Sequence, residues 1–396
     1  RQVDSLQAPM SRDERARAGF VSELRRFVLN DLAAALRADY ERRLEPTFLR
    51  RHGRVPSTPR DVHEALRTGE LFRFYSTLRV LSQDLLYQCV RAPLERARPE
   101  LLRRAVELAR ERPIGSLVLD DELQVPRSVS AVDIHRMPGS YHTEYGANDL
   151  TMGAVYEQRL PISTFGVFGP NLDDIGQSVA RLARVKHPDL KVRRVLDLGC
   201  TVGHNTGGWK DVFPAADVHG IDVAAPCLRY GSARARAQRR AMHFHQMNAE
   251  NLQFADASFD VVFSSMFLHE VPAKAIPRVL REAYRVLRPG GLMLHMELPP
   301  TRELSAYDSF YLDWDGYYNN EPYYRAFRAL DPRKLVAAAG FRGTDYLQYV
   351  VPSWTALGDH WFDAVNTNLA VASDKTGRLT AGVRWYCFGA RNSTRS

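Results

Sequence analysis

One stretch near the middle of the chain constrains the fold more than any other. Residues 195–203 form an apolar run that ends in a glycine-rich turn, VLDLGCTVG, and residues 220–223 follow at the distance of one helix. An apolar strand, a glycine-rich loop and a helix in this order are typical of a nucleotide-binding α/β unit. We therefore expect the rest of the chain to be arranged around this loop.

Strand-like and helix-like segments alternate from residue 191 onwards. We predict strands at 194–198, 217–222, 242–247, 259–264, 291–297, 344–350 and 382–390. Helical segments, such as 225–240 and 276–287, fall between most of them. This alternation predicts a Rossmann-like α/β fold with a seven-stranded, mostly parallel sheet and helices on both faces. The ligand of such a sheet is expected beyond the carboxyl ends of the strands.

The chain divides into three predicted regions. Residues 1–112 are a helical N-terminal region with apolar residues at three- and four-residue steps, and its helices are expected to break at Pro46, at 53–59 and before Pro93. Residues 113–190 are predicted to be an irregular lid or connector. Residues 191–396 are the α/β domain, with an insertion rich in aromatic residues at 305–328.

Composition argues against several classes of protein. The net charge is +8, but many arginines stand singly beside acidic residues, so a solvated surface is favoured over a nucleic-acid partner. The four cysteines lie far apart, which favours a reducing compartment over a zinc site or a disulfide framework. The sequence shows neither a membrane span nor a signal peptide, so we expect a cytoplasmic enzyme.

The glycine-rich loop carries its own chemical signals. The carboxylate of Asp197 lies in an apolar strand end, where burial without a partner is costly, so it favours a cation or hydrogen-bond donors, both of which the ammonium group of an amino acid provides. Thr201 stands where a dinucleotide-binding loop has its second glycine, which argues against NAD. Asp222 closes the second strand and is placed to accept hydrogen bonds from both ribose hydroxyls; the alternative is a helix N-cap.

Four motifs in order resemble those of the class I S-adenosylmethionine-dependent methyltransferases, within the group that contains ubiquinone/menaquinone-type small-molecule enzymes. They are the stretches 195–203, 220–223, 247–250 with 258–262, and 287–291. The resemblance spans residues 194–297, about a quarter of the chain. It implies the class I methyltransferase fold and S-adenosylmethionine as cofactor.

The resemblance also implies a set of binding residues. Residues around the first motif would hold the methionine half of the cofactor, Asp222 its ribose, and Asn248 with the backbone amide of Ala249 its adenine. The predicted cofactor-binding residues are Asp197, Gly199, Cys200, Gly203, Asp222, Val223, Asn248 and Ala249. No metal ligands are predicted, because His243 and His245 alternate on a strand with no third ligand nearby.

The acceptor side is less clearly marked. His269 follows the fourth predicted strand and is the candidate general base, since the pKa of histidine suits proton removal near neutrality. The alternative is that this histidine has no catalytic role. An aromatic wall in the insertion suits a flat or apolar acceptor, or it packs the N-terminal helices onto the core. The candidate substrate-binding residues are Tyr141, His142, Tyr145, Glu297, Tyr311, Trp314 and Tyr318.

These observations together predict a biosynthetic methyltransferase. We expect methyl transfer to an oxygen, nitrogen, sulfur or carbon of a small, aromatic or apolar metabolite, by in-line displacement at the sulfonium methyl. Two alternatives stay open: a methyltransferase acting on RNA or protein, and a cofactor-binding protein without transferase activity. A homodimer through the helical N-terminal region is the candidate assembly.

Overall fold

The structure is a computed structural model that describes residues 6–365 and 384–393. Within these ranges the chain forms one sheet of eight strands. The strands are β1 Ser116–Val118, β2 Arg194–Leu198, β3 Asp217–Asp222, β4 His243–Gln246, β5 Phe259–Ser265, β6 Leu287–Glu297, β7 Tyr346–Pro352 and β8 Arg384–Arg391.

Helices cover most of the remaining described residues. They are α1 Arg12–Arg26, α2 Ala33–Asp39, α3 Glu45–His52, α4 Pro59–Leu66, α5 Glu70–Glu111, α6 Arg127–Ser130, α7 Thr151–Thr164, α8 Asp174–Lys186, α9 His204–Val212, α10 Ala225–Ala237, α11 Ile276–Val286, α12 Ala306–Tyr318, α13 Tyr324–Arg328, α14 Pro332–Ala339 and α15 Trp354–Val365. Two wider, π-type helical turns, Phe27–Leu32 and Tyr40–Leu44, connect α1, α2 and α3. No helix in the described ranges is long and apolar enough to cross a membrane.

The sheet confirms the predicted fold class and adds one strand. Its order is β1-β4-β3-β2-β5-β6-β8-β7, and all neighbours are parallel except β8, which runs antiparallel to β6 and β7. All seven predicted strands are present: β2 and β3 have the predicted ends, and the other five have shifted ends; residues 382 and 383 lie outside the described ranges. The eighth strand, β1, pairs with β4 at the edge of the sheet. Three residues are too short to show a strand period, so the pattern did not predict it.

Helices cover both faces of the sheet because its central strands are apolar on both sides. Val195 and Leu196 are neighbours on β2, and their side chains point to opposite faces. Val195 belongs to a core cluster with Trp209 of α9 and Val179 of α8. Leu196 belongs to another, with residues of α11 and α14 such as Val279. The carboxyl ends of the parallel strands are therefore held rigidly between two packed layers.

The N-terminal region is helical, as predicted, but the expected break before Pro93 is wrong. The 42-residue helix α5 continues through Pro93 and Pro99. Val90, Pro93 and Leu94 are buried, and α5 packs against α1, α7 and α10. This packing offsets the hydrogen bond that each proline removes. The predicted break after α3 is confirmed, since Gly53 ends that helix with a φ of 69°.

The segment 113–190 is more regular than predicted. It contains β1 and the helices α7 and α8. Helix α7 is buried almost all round, including Glu157, Gln158 and Arg159. A helix that is buried on every side shows no amphipathic stripe, which is why its residues gave no helical pattern.

The aromatic insertion forms α12 and α13. Tyr307 and Phe310 pack in a cluster with Tyr40, Phe72 and residues of α4, so the insertion joins the N-terminal helices to the core. Tyr311 and Tyr324 also line a cavity at the sheet. The packing interpretation of this stretch is therefore confirmed, and its role as an acceptor wall stays a prediction.

Candidate active site

A cavity of about 340 Å³ lies at the carboxyl ends of the parallel strands. Its strand-side wall is formed by the loops after β2, β3, β4 and β5, with residues Gly199, Thr201, 221–223, 247–250, 265–267 and 269–271. Its helix-side wall is formed by α1, α5, α7 and α12 and the segment before α7. The strand ends are the predicted location, and the helix-side wall is supplied by the other regions of the chain.

The loop after β2 is shaped by backbone requirements. Gly199 has a φ of 69°, and a Cβ there would lie 2.3 Å from Cδ2 of Phe267, so a side chain would not fit. Thr201 has a φ of 50°, which is uncommon for a β-branched residue, and its N–H donates to the Asp222 carboxylate at 2.9 Å. Cys200 and Gly203 hold the loop against the core. The Cys200 N–H donates to the Ile221 carbonyl, and the Gly203 backbone packs on the Phe244 ring.

The carboxylate of Asp222 is fixed in the strand-side wall by two backbone N–H groups. One oxygen accepts the Thr201 N–H and the other the Ala224 N–H, both at 2.9 Å, and the side chain lines the cavity. Burial raises the pKa of Asp222 to about 6. The N-cap alternative for Asp222 is wrong, because the N-cap residue of α10 is Ala224 and no side chain caps this helix. Each oxygen of Asp222 retains a lone pair for a further donor.

Asn248 and Ala249 line the cavity beside Val223. The side-chain oxygen of Asn248 accepts the Glu250 N–H at 2.9 Å. This hydrogen bond fixes the turn after β4 and the direction of the Asn248 amide.

Asp197 lies beneath the loop and does not line the cavity. It is 2 % exposed, and its carboxylate accepts a hydrogen bond from the Thr206 hydroxyl at 2.6 Å. No cation of the described residues lies within ion-pair distance of it. Burial, with the Asp222 charge nearby, raises the pKa of Asp197 to about 7. The partner within the chain is therefore a hydroxyl, and the expected cation is not a side chain.

His269 reaches the cavity from the short turn after β5. Its Nδ1 lies 2.7 Å from a Glu297 carboxylate oxygen, and the other Glu297 oxygen accepts the N–H groups of Phe267 and Leu268. Burial opposes the charged ring, but the carboxylates of Glu297 and Glu321 outweigh it and raise the pKa of His269 to about 9. Glu297 lies behind the ring and holds both the ring and its turn in place.

A second histidine, missed from the sequence, continues this arrangement. His135 lies 3.0 Å from Glu270 through Nε2 and 3.3 Å from Glu321 through Nδ1, while Glu321 lies 3.5 Å from His269. The Tyr141 hydroxyl donates to Glu270 at 2.9 Å. We call Glu297, His269, Glu321, His135 and Glu270 the Glu–His network. Its members come from four separate segments, so no local motif marks it; His135 has a φ of 56°, visible only in the structure.

The candidate substrate residues divide between the cavity and its surroundings. Tyr141 and Tyr311 line the cavity. Trp314 and Tyr318 instead line a separate groove on the outer side of α12. His142 and Tyr145 are not among the lining residues, and Tyr145 is 53 % exposed. Glu297 supports His269, as described above.

The matched family fits this geometry. Residues 195–291 match a family model described as a methyltransferase domain. These residues form a class I, S-adenosylmethionine-dependent methyltransferase domain. The methyltransferase domain runs from β2 into β6 and contains the four motifs that predicted it. The resemblance inferred from the sequence is thereby confirmed.

Several curated methyltransferases are similar to this part of the chain. A phthiotriol/phenolphthiotriol dimycocerosates methyltransferase of Mycobacterium ulcerans is 32% identical over 123 residues, covering 31% of this chain and 44% of the relative. A malonyl-[acyl-carrier protein] O-methyltransferase of Methylococcus capsulatus is 35% identical over 118 residues, covering 30% and 41%. A demethylmenaquinone methyltransferase of Thermus thermophilus is 33% identical over 108 residues, covering 27% and 48%. The chain thus spans less than half the length of these relatives.

Proposed function

We propose that the protein transfers the methyl group of S-adenosylmethionine to a small acceptor held in the cavity. One observation carries this proposal: the strand-side wall of the methyltransferase domain and the helix-side wall enclose the same space. The cofactor, when bound, supplies a methyl group already activated by its sulfonium. The chain has to orient the acceptor and exclude water.

The strand-side wall suits the cofactor. The absent side chain of Gly199 lets the Phe267 ring pack directly against the loop, and Asp222 offers two oxygens for the ribose hydroxyls. Ile221, Val223 and Met247 provide apolar surface for the adenine, with Asn248 and Ala249 at its edge.

We assign the methionine half of the cofactor to the loop after β2. We assign its ammonium group to the neighbourhood of Asp197. Cys200 and Gly203 contribute through the shape of the backbone.

The helix-side wall suits a small acceptor with an apolar body. Leu29, Leu160, Phe168 and Leu312 line it together with Tyr311. Such surroundings hold an apolar or aromatic molecule and keep water away from the reacting atoms. The name of one similar protein, a demethylmenaquinone methyltransferase, supports a small acceptor over a macromolecule.

We propose that His269 contacts the acceptor and that its role depends on pH. With a pKa of about 9, the ring carries both N–H protons at neutral pH. Nδ1 is occupied by Glu297, so Nε2, which lies 3.5 Å from Glu321, is the donor left for the acceptor. It serves as the predicted general base only in alkaline solution, where the ring is neutral. An acceptor atom that is already nucleophilic needs no base at all.

The proposed activity is tested by incubating the purified chain with methyl-labelled S-adenosylmethionine and fractionated cell extract. We expect label in the small-molecule fraction, and mass spectrometry then identifies the product. Label confined to RNA or protein would support the macromolecular alternative. Cofactor binding in calorimetry without any labelled product would support a binding protein that has lost transfer.

Two further assignments rest on the surface and on the cysteines. The N-terminal helices expose Phe20, Phe27 and Phe74, which supports a homodimer through this region and is tested by light scattering of Phe20→Ser.

All four cysteines are unpaired and buried, which supports the reducing cytoplasm as the location.

A further inference from the structure

The helix-side wall contains three buried arginines that the proposed mechanism does not use. Arg25, Arg79 and Arg159 are 5 %, 2 % and 6 % exposed, and all three line the cavity. Arg79 forms an ion pair with Asp315 at 2.6 Å. Among the residues that the structure describes, no carboxylate lies within 4.0 Å of the guanidinium of Arg25 or Arg159. A buried charge without a counter-ion is costly, so these two groups need an explanation.

Arg25 is held in place by a hydrogen bond to a neutral side chain, while the Arg79 and Asp315 charges act on it from beyond hydrogen-bond distance. Its Nη1 donates to the Gln83 side-chain oxygen at 2.6 Å, and Arg79 donates to the same oxygen at 3.2 Å. Gln83 in turn donates to the His135 carbonyl at 2.9 Å, which fixes its orientation. The Nε of Arg25 is buried and has no partner in the described part of the chain. Burial and the Arg79 charge lower the pKa of Arg25 to about 9, so it stays charged at neutral pH.

Arg159 has a different neighbourhood. Its guanidinium lies 5.0 Å from the centre of the Tyr156 ring, and Tyr156 lines the cavity together with Thr201 of the loop after β2. Arg159 therefore lies next to the strand-side wall. The carboxylate of an amino-acid-bearing cofactor bound there is enough to balance its charge. The contacts of Arg25 are with α5, and those of its neighbour Arg79 extend to α12, all on the helix-side wall.

We propose that the acceptor carries an anionic group, a carboxylate or a phosphate, which Arg25 binds. Arg79 and Gln83 lie beside Arg25 and orient it, and the apolar side chains around them hold the body of the acceptor. The planar fork of a guanidinium matches two oxygens of such a group, and the dry surroundings strengthen the contact. This inference rests on the proposed function, since it names the substrate class of the same cavity.

The test is calorimetry in the presence of S-adenosylhomocysteine. It uses three small probes that share a phenyl ring and differ in their polar group: phenylacetate, phenyl phosphate and neutral 2-phenylethanol. We expect the wild-type protein to bind at least one anion about tenfold or more tightly than the alcohol. Arg25→Met loses this preference, whereas Arg17→Met, an exposed arginine of the same helix, keeps it. The anion whose affinity falls distinguishes a carboxylate from a phosphate acceptor.

The stability of Arg25→Met separates a binding role from a structural one. Because the substitution removes a buried charge that has no carboxylate partner, we expect a melting temperature equal to or above that of the wild type. A structural arginine would give a lower melting temperature. Affinity for S-adenosylhomocysteine is expected to stay within about twofold of the wild type, as no contact of Arg25 reaches the strand-side wall.

Three results would overturn the inference. They are equal binding of anions and alcohol by the wild type, unchanged anion binding by Arg25→Met, and a parallel loss of S-adenosylhomocysteine affinity in that variant, which would place Arg25 in the cofactor site. If the wild type fails to bind S-adenosylhomocysteine, the proposed function is contradicted instead. Repeating the anion measurement without S-adenosylhomocysteine still tests whether Arg25 binds the anion.

Discussion

The two walls of the cavity are built in different ways. The strand-side wall consists of turns that directly follow β2, β3, β4 and β5, and its key contact joins the backbone of Thr201 to the Asp222 carboxylate. The helix-side wall is assembled from side chains such as Arg25, Gln83 and His135, which are distant in sequence. The first wall is specified by local backbone geometry and the second by long-range packing. They are therefore expected to respond differently to substitution and to pH.

The largest expected effect concerns Asp222. Asp222→Ala removes the carboxylate assigned to the ribose, and losing charged hydrogen bonds of this kind lowers affinity for S-adenosylhomocysteine about 100-fold. Asp222→Asn keeps the size and one acceptor oxygen, so it is expected to lie between Ala and the wild type. Asp256→Ala, at a side chain that is 77% exposed, is the matched control and leaves affinity unchanged. Calorimetry with normal affinity in both Asp222 variants would remove this residue from the cofactor site.

The Glu–His network, which joins the two walls, predicts a pH-dependent stability. The pKa of His269 is raised to about 9 in the folded chain from an ordinary value of 6.5, so its contribution is fully present below pH 6.5 and is lost as the pH rises to 9. Relative to His269→Gln, the wild type should be more stable by on the order of 2 kcal/mol at pH 6. Urea unfolding of both proteins from pH 6 to pH 10 measures the difference. A difference that does not shrink with rising pH would contradict the assigned charge of the ring.

The contrast between the walls also explains which features could be predicted from the sequence and which could not. The seven predicted strands and the loop with Asp222 depend on residues close together in the chain, where an apolar run, a glycine turn and an acidic residue have fixed spacing. His135 and Glu321 were missed because their meeting depends on the packing of α12 beside the segment before α7. Arg25 was hidden for the same reason: among many arginines, only its burial distinguishes it. Pro93 was misjudged because packing around α5 outweighs the local preference.

The strand-side wall has its own pH dependence, in the acid range. Burial raises the pKa of Asp222 to about 6, so its carboxylate gains a proton as the pH falls through 6 and loses acceptor capacity. Affinity for S-adenosylhomocysteine is expected to fall about tenfold between pH 7 and pH 5, when about one carboxylate in ten stays ionised. Asp222→Asn has no such carboxyl and should show a flatter profile. An equally steep profile in that variant would assign the effect to Asp197, whose pKa is raised to about 7.

The smallest effect is expected at Thr201, where the two walls touch. Its positive φ costs a β-branched residue about 1 kcal/mol, which glycine avoids, but glycine also gains freedom in the unfolded chain and loses the contact with Tyr156. These opposing terms should leave Thr201→Gly within about 1 kcal/mol of the wild type in stability. Affinity for S-adenosylhomocysteine should change by less than about threefold, because the N–H to Asp222 is retained. Thr201→Ser keeps the hydroxyl and controls for its loss. A large loss of affinity in Thr201→Gly, restored in Thr201→Ser, would show that the strand-side wall depends on a side chain of α7 and is not specified by its own backbone.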